Sequence, residues 1–166
     1  MTSPRILNVG LIGGGGGAFF AHPHQKAIHF DGTRRIVAAA LRSNPEAAIK
    51  DAANWSYPIK GYATYDEMIA VQKDLPEEER LDYVVVVTPN HAHFAPALKA
   101  IEAGIPVFCE KPLTLNHAEA QELAAAVAKS KVPFAVAHTY LGHWSTRLAR
   151  HIVQNGLVGD VCWVAA

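Results

Sequence analysis

Five consecutive glycines, Gly13 to Gly17, follow directly on an apolar run, residues 6–12 (Ile-Leu-Asn-Val-Gly-Leu-Ile). Glycine is costly inside a helix or strand because it loses the most backbone freedom on ordering. The run therefore reads as a loop at the end of a short buried strand. A helical stretch follows, expected from about Phe19 to Phe30. Strand, glycine turn, helix is the arrangement that cradles a phosphate. The helix N-terminus supplies free N–H groups and the positive end of a dipole. Gly13 permits the tight turn, and Gly15 lets the backbone approach a pyrophosphate. Gly13-x-Gly15-x-x-Ala18 fits the dinucleotide fingerprint with alanine in third place. In an alternative reading the loop carries extra residues and Ala21 takes the helix–strand packing role.

The remainder of the chain alternates between strand and helix patterns. Strands are expected at residues 36–41, Tyr62-Ala63, Tyr83–Thr88, Val107–Cys109, Phe134–Ala137 and Asp160–Ala166. Helices are expected from Pro45 onward and over Tyr65–Val71, 91–103, 117–130 and Arg147–Asn155. Val84 to Val87 form an unbroken β-branched run, which suits a central parallel strand covered on both faces. Asn44-Pro45 reads as an N-cap and first helical position, and Asn116 with Glu119 as a capping-box variant. Gly104 is placed to end the helix before it. Such alternation predicts an α/β, doubly wound, mostly parallel Rossmann sheet built from right-handed crossovers. At 166 residues, with 50% apolar and 18% charged residues, the chain has material for one well-buried domain.

Lys and Arg number 15, as do Asp and Glu, so the chain lacks the basic excess of a nucleic-acid or anionic-membrane binder. No apolar run approaches a membrane span, and no signal peptide is expected before the first strand. Cys109 and Cys162 are expected to be reduced core thiols, which points to the cytoplasm. His22-Pro23-His24 and His91-Ala92-His93 lack a third ligand at familiar spacing, so no metal site is expected. His24 reads as a packing or capping residue of the first helix. The three glutamates of residues 75–82 read as a solvated surface.

Ligands of open parallel sheets bind at the carboxyl ends of strands, and three such ends carry polar groups. One bears Thr88-Pro89-Asn90-His91-Ala92-His93, a second Glu110-Lys111-Pro112, the third His138-Thr139-Tyr140. At the end of the second strand an acidic residue would hold the adenosine ribose of NAD. Arg42 and Ser43 stand there instead and suit a 2′-phosphate, tilting the expectation from NAD toward NADP. Oxidising a secondary alcohol needs a hydride acceptor and a proton acceptor. A lysine near the oxygen stabilises the developing alkoxide, and Lys111 is placed for that work.

The glycine fingerprint, Thr-Pro-Asn-x-x-His and Glu-Lys-Pro, in that order, resemble the N-terminal half of the Gfo/Idh/MocA oxidoreductases. The resemblance runs from about residue 6 to the end of the chain, and Gly-Gly-Gly-Gly-Gly-Ala-Phe-Phe resembles one subgroup. It implies NAD(P)-dependent hydride transfer to or from a sugar, inositol or related polyol. On the cofactor it implies Gly13, Gly15, Gly17, Ala18, Phe19, Phe20, Arg42, Ser43, Thr88, Pro89, Asn90, His93, Glu110 and Lys111. Lys111 is the expected catalytic residue, with His138 and Tyr140 toward the substrate. Arg42 stands where many members have Asp, and Thr139 where many have Asn. Members carry a second α/β domain after the Rossmann half and often form homo-oligomers through it. Residues 1–158 are thus expected to be the cofactor domain and 159–166 the opening strand of a second, so the chain is expected to be the cofactor-binding half and inactive alone. Rival readings are a non-catalytic dinucleotide sensor and an S-adenosylmethionine-binding methyltransferase.

Overall fold

A computed structural model describes residues 5–19 and 21–165. By compactness they fall into two units, Met1–Val136 and Ala137–Ala166. The first unit holds six strands: β1 (Leu7–Gly13), β2 (Arg34–Ala40), β3 (Lys60–Gly61), β4 (Tyr83–Val87), β5 (Val107–Cys109) and β6 (Phe134–Val136). Between them run α1 (Ala21–His29), α2 (Pro45–Ala53), α3 (Tyr65–Gln72), α4 (Phe94–Glu102) and α5 (His117–Ser130). The strands form one sheet in the order β3-β2-β1-β4-β5-β6, every pair parallel. The order reverses between β1 and β4, the place where doubly wound sheets open a crevice.

The apolar runs fill two cores, one on each face of the sheet. Val84 and Val86 enter a cluster with Ile12, Met68, Ile101 and Leu123, while Val85 and Val87 join Val9, Leu11, Ile28 and Ile36 on the opposite face. Successive strand side chains alternate faces, so β4 carries apolar valine at four successive positions, 84 to 87, because both faces are covered.

The helix caps follow the sequence. Asn44 Oδ1 accepts from Ala47 N–H and Asn116 Oδ1 from Glu119 N–H, both at 2.9 Å. Glu119 returns to the Leu115 N–H at 3.1 Å, so the box closes one residue outside the cap. Several boundaries move. β3 lies at Lys60–Gly61 instead of Tyr62-Ala63. Tyr62 still donates its N–H to Ala39 O at 2.9 Å, but its side chain turns into the core and Thr64 already caps α3. The helix expected over 91–103 splits into a 3-10 turn, Asn90–Ala92, and α4, with Pro96, Ala97, Ala100 and Ile101 buried.

The second unit contains a 3-10 turn at Thr139–Gly142 and a helix, α6 (Trp144–Gln154), which starts three residues before the expected Arg147. No residue of α6 is buried. The strand expected over Asp160–Ala166 is not formed in residues 160–165, and Ala166 lies outside the described residues. A strand requires a hydrogen-bonded neighbour, and these residues have none in the sheet. Cys109 is fully buried, and burial, aided by the neighbouring Glu110 charge, pushes its thiol up to about 12. Cys162 is exposed, so it is not the core thiol that its apolar neighbours suggested. No helix among the described residues is long and apolar enough to cross a membrane.

Candidate functional site

A cleft of about 790 Å³ opens at the carboxyl ends of β1, β2, β4 and β5. That volume falls within the range of small-molecule and cofactor sites. Gly13, Gly14, Gly15, Ala18 and Phe19 line it from the glycine loop, and Arg42 and Ser43 from the end of β2. The third wall comes from Thr88, Pro89, Asn90 and His93 after β4, the fourth from Glu110 and Lys111 after β5. Residues as far apart in the chain as Gly13 and Lys111 thus share one cavity. Gly17 belongs to a neighbouring groove behind the loop, with His22, Asp51 and Trp55. Phe20 lies outside the described residues. His138 and Tyr140 belong to the second unit, where both are exposed. No three His, Cys, Asp or Glu side chains converge as metal ligands among the described residues.

The glycine loop is held tightly by its own protein. Gly13 has φ +84°, and a Cβ there would lie 2.8 Å from the Thr88 backbone nitrogen. At Gly15 a Cβ would lie 2.6 Å from Asp51 Oδ2 and 2.8 Å from Leu41 O. Gly15 N–H donates to that same Leu41 oxygen at 3.0 Å. Glycine at 15 is therefore required by packing against β2 and α2, in addition to any approach of a pyrophosphate. Ala18 is exposed, while Ala21 is buried and a Cβ on Gly14 would meet its Cβ at 2.7 Å. Ala21 takes the helix–strand packing role, which favours the longer-loop alternative. The first turn of α1 carries no acidic residue to oppose an anion.

The rim after β4 is braced from below. Thr88 Oγ1 donates to Ala92 O at 2.8 Å, fixing the 3-10 turn that presents Asn90. His93 is 1% exposed. Its Nδ1 lies 2.6 Å from Pro112 O and its Nε2 2.9 Å from Thr88 O. The ring thus ties the end of β4 to the Glu-Lys-Pro turn.

Glu110 is 8% exposed and occupies both carboxylate oxygens. Oε2 accepts from the Lys111 N–H at 2.9 Å, and Oε1 lies 2.8 Å from His24 Nε2. Its own N–H donates to Val86 O at 2.9 Å. His24, expected as a packing or capping residue of the first helix, is the hydrogen-bond partner of Glu110. Ala21, His24 and Ile28 sit at i, i+3 and i+7 on the inward face of α1, and a polar group on such a face needs a partner. That periodicity was the available signal; the partner, 86 residues away, was not readable. Replacing His24 by Ala leaves a buried carboxylate oxygen without its hydrogen bond. The expected loss is about 1–3 kcal/mol in urea-monitored stability, and Gln, whose amide reaches the same oxygen, restores part of it.

A glycine loop and a polar rim meeting at the reversal point of a 3-2-1-4-5-6 parallel sheet define a domain of the Rossmann class. The chain belongs to the Gfo/Idh/MocA family: residues 7–138 match the oxidoreductase family described as having an NAD-binding Rossmann fold. It is 37% identical over 112 residues to inositol 2-dehydrogenase 4 of Saccharopolyspora erythraea, a match covering 68% of this chain and 30% of that protein. With the levoglucosan dehydrogenase of Pseudarthrobacter phenanthrenivorans it shares 28% identity over 165 residues, covering 93% of this chain and 39% of the relative. Among solved structures, an oxidoreductase from Sinorhizobium meliloti superposes with a TM-score of 0.86 at 35% identity, over 95% of this chain and 43% of that one. An inositol dehydrogenase homolog from Azotobacter vinelandii, complexed with NADH and myo-inositol, also gives 0.86, at 27% identity, over 94% and 41% of the respective chains. The chain spans less than half the length of these relatives.

Proposed function

We propose that this chain binds a nicotinamide dinucleotide in the cleft between β1 and β4, as the cofactor half of an oxidoreductase acting on a sugar or polyol. The observation that carries this is the single cavity joining the glycine loop, the β2 end and Lys111. The residues fit such a group. Glycine packing keeps the loop low, so the cleft stays open above it, and the rim offers a cation, amide and hydroxyl groups but no unpaired carboxylate at the phosphate end.

The chain's own residues divide the work. The loop and the start of α1 hold the phosphates through backbone N–H groups and the dipole end. Arg42 and Ser43 take the adenosine ribose and suit a 2′-phosphate, which supports NADP beside NAD. Asn90, presented by its braced turn, and Glu110 border the nicotinamide end. The bound cofactor supplies the hydride acceptor or donor. Lys111, at the β5 end, stabilises the alkoxide of a substrate hydroxyl and moves its proton. Residues 159–166 lead toward a second domain that supplies most of the substrate contacts, and the whole protein forms a homo-oligomer through it.

Titrating the 166-residue chain with NADH, NADPH and S-adenosylmethionine tests the reading. Saturable binding of a reduced dinucleotide, seen as enhanced nicotinamide fluorescence, is expected. Binding of S-adenosylmethionine alone, or of none of the three at millimolar concentration, rejects it.

A further inference from the structure

The cation at the end of β2 is not alone. Arg42 Nε donates to Asp51 Oδ2 of α2 at 2.6 Å. The rest of the guanidinium lies against Gly16, where a Cβ would collide with Arg42 Nη2. Asp51 stands on the far side of the loop from the cleft: Arg42 and Ser43 line the cavity, whereas Asp51 lines the groove behind it. Its side chain is 24% exposed. Hydrogen bonding and charge from Arg42, with a smaller contribution from the Gly16 N–H, hold its carboxyl below the usual range, so it remains anionic at neutral pH. One carboxylate therefore holds the cation that lies against the phosphate loop.

We propose that Asp51 sets the choice between NAD and NADP, acting through Arg42 without touching the cofactor. The proposal rests on the dinucleotide reading above. A 2′-phosphate carries close to two negative charges and needs an uncompensated cation. Here the arginine arrives already paired, and the pair is neutral. NAD presents only hydroxyls at this position and needs no free cation. Arginine in place of the usual acid shifts the site toward NADP, and Asp51 one helix away restrains that shift. Lys50, adjacent in sequence and exposed, is a further charge acting on Asp51.

The test is a double-mutant cycle on dissociation constants for NADH and NADPH, read by fluorescence with the 166-residue chain. Asp51→Asn keeps an oxygen for the Arg42 Nε and removes the charge. It is expected to shift the NADPH-to-NADH affinity ratio about tenfold toward NADPH, the size of a charge–charge contact largely screened by water. In Arg42→Ala the same Asp51 change is expected to shift the ratio far less. A ratio that stays put or moves toward NADH in Asp51→Asn overturns the proposal. So does an equal shift without Arg42. Should Asp51→Asn fail to fold by its urea transition, Asp51→Ser is read the same way. Wild type and variants that bind neither dinucleotide defeat the function itself, whereas binding with an unmoved ratio defeats only the role of Asp51.

Discussion

Replacing Lys111 with Ala in the full-length enzyme is expected to lower kcat by about 10²–10⁴-fold, the usual cost of losing a positioned acid–base group. The lysine sits one residue past β5, and its backbone is set by three contacts of its neighbour: Glu110 to Val86, to His24 and to the Lys111 N–H itself. A side chain so anchored projects from a fixed root into the cleft proposed to hold the dinucleotide. Lys111→Arg separates two duties. It keeps a positive charge near the oxygen but does not give up a proton at ordinary pH, so kcat is expected to stay near the alanine level if proton transfer dominates. Steady-state kinetics with the sugar or polyol substrate measures both. A kcat within about threefold of wild type in Lys111→Ala removes the residue from the chemistry.

Gly13→Ala is expected to cost about 2–4 kcal/mol of stability, adding left-handed strain to a clash with backbone. At φ +84° the new Cβ would lie 2.8 Å from the Thr88 nitrogen and 2.9 Å from its Cα, neither of which can move without opening the β1–β4 pairing. Gly17→Ala is the control. Its φ is +77°, yet nothing lies within 4 Å of the added carbon, so strain alone applies and about 1–2 kcal/mol is expected. Urea transitions of the two variants compare them directly. Equal losses would mean that the close approach of β1 to Thr88 carries no cost.

The readable and unreadable parts of the site differ in the range of the interactions behind them. The Asn44 cap, the Gly104 helix end and the valine run of β4 depend on neighbours within a turn or on strand periodicity, and each appears in the structure as the sequence implies. β3 moved two residues because a two-residue pairing leaves almost no pattern, and the burial of Tyr62 in the core overrode its strand preference. His93 stands in a family-like motif, but its place as a buried brace between Thr88 and Pro112 depends on where two separate loops come together. Cys162 shows the opposite error: apolar neighbours imply burial only if something packs on them.

The sequence by itself determined that a strand ends in a glycine loop, that polar groups cluster at later strand ends, and that the whole winds as an α/β sheet. These follow from local propensity and from periodicity, which a linear chain displays directly. Only the tertiary structure decided what those groups do to one another. It paired His24 with Glu110 and Arg42 with Asp51, and it packed Gly15 against its own protein. Arg42 read alone was a cation awaiting a phosphate. Folded, it is half of an ion pair, because α2 returns along β2 and brings a carboxylate within 2.6 Å. A charge in a sequence has a sign, but its partner and its distance are set by packing, and electrostatic energy depends on both.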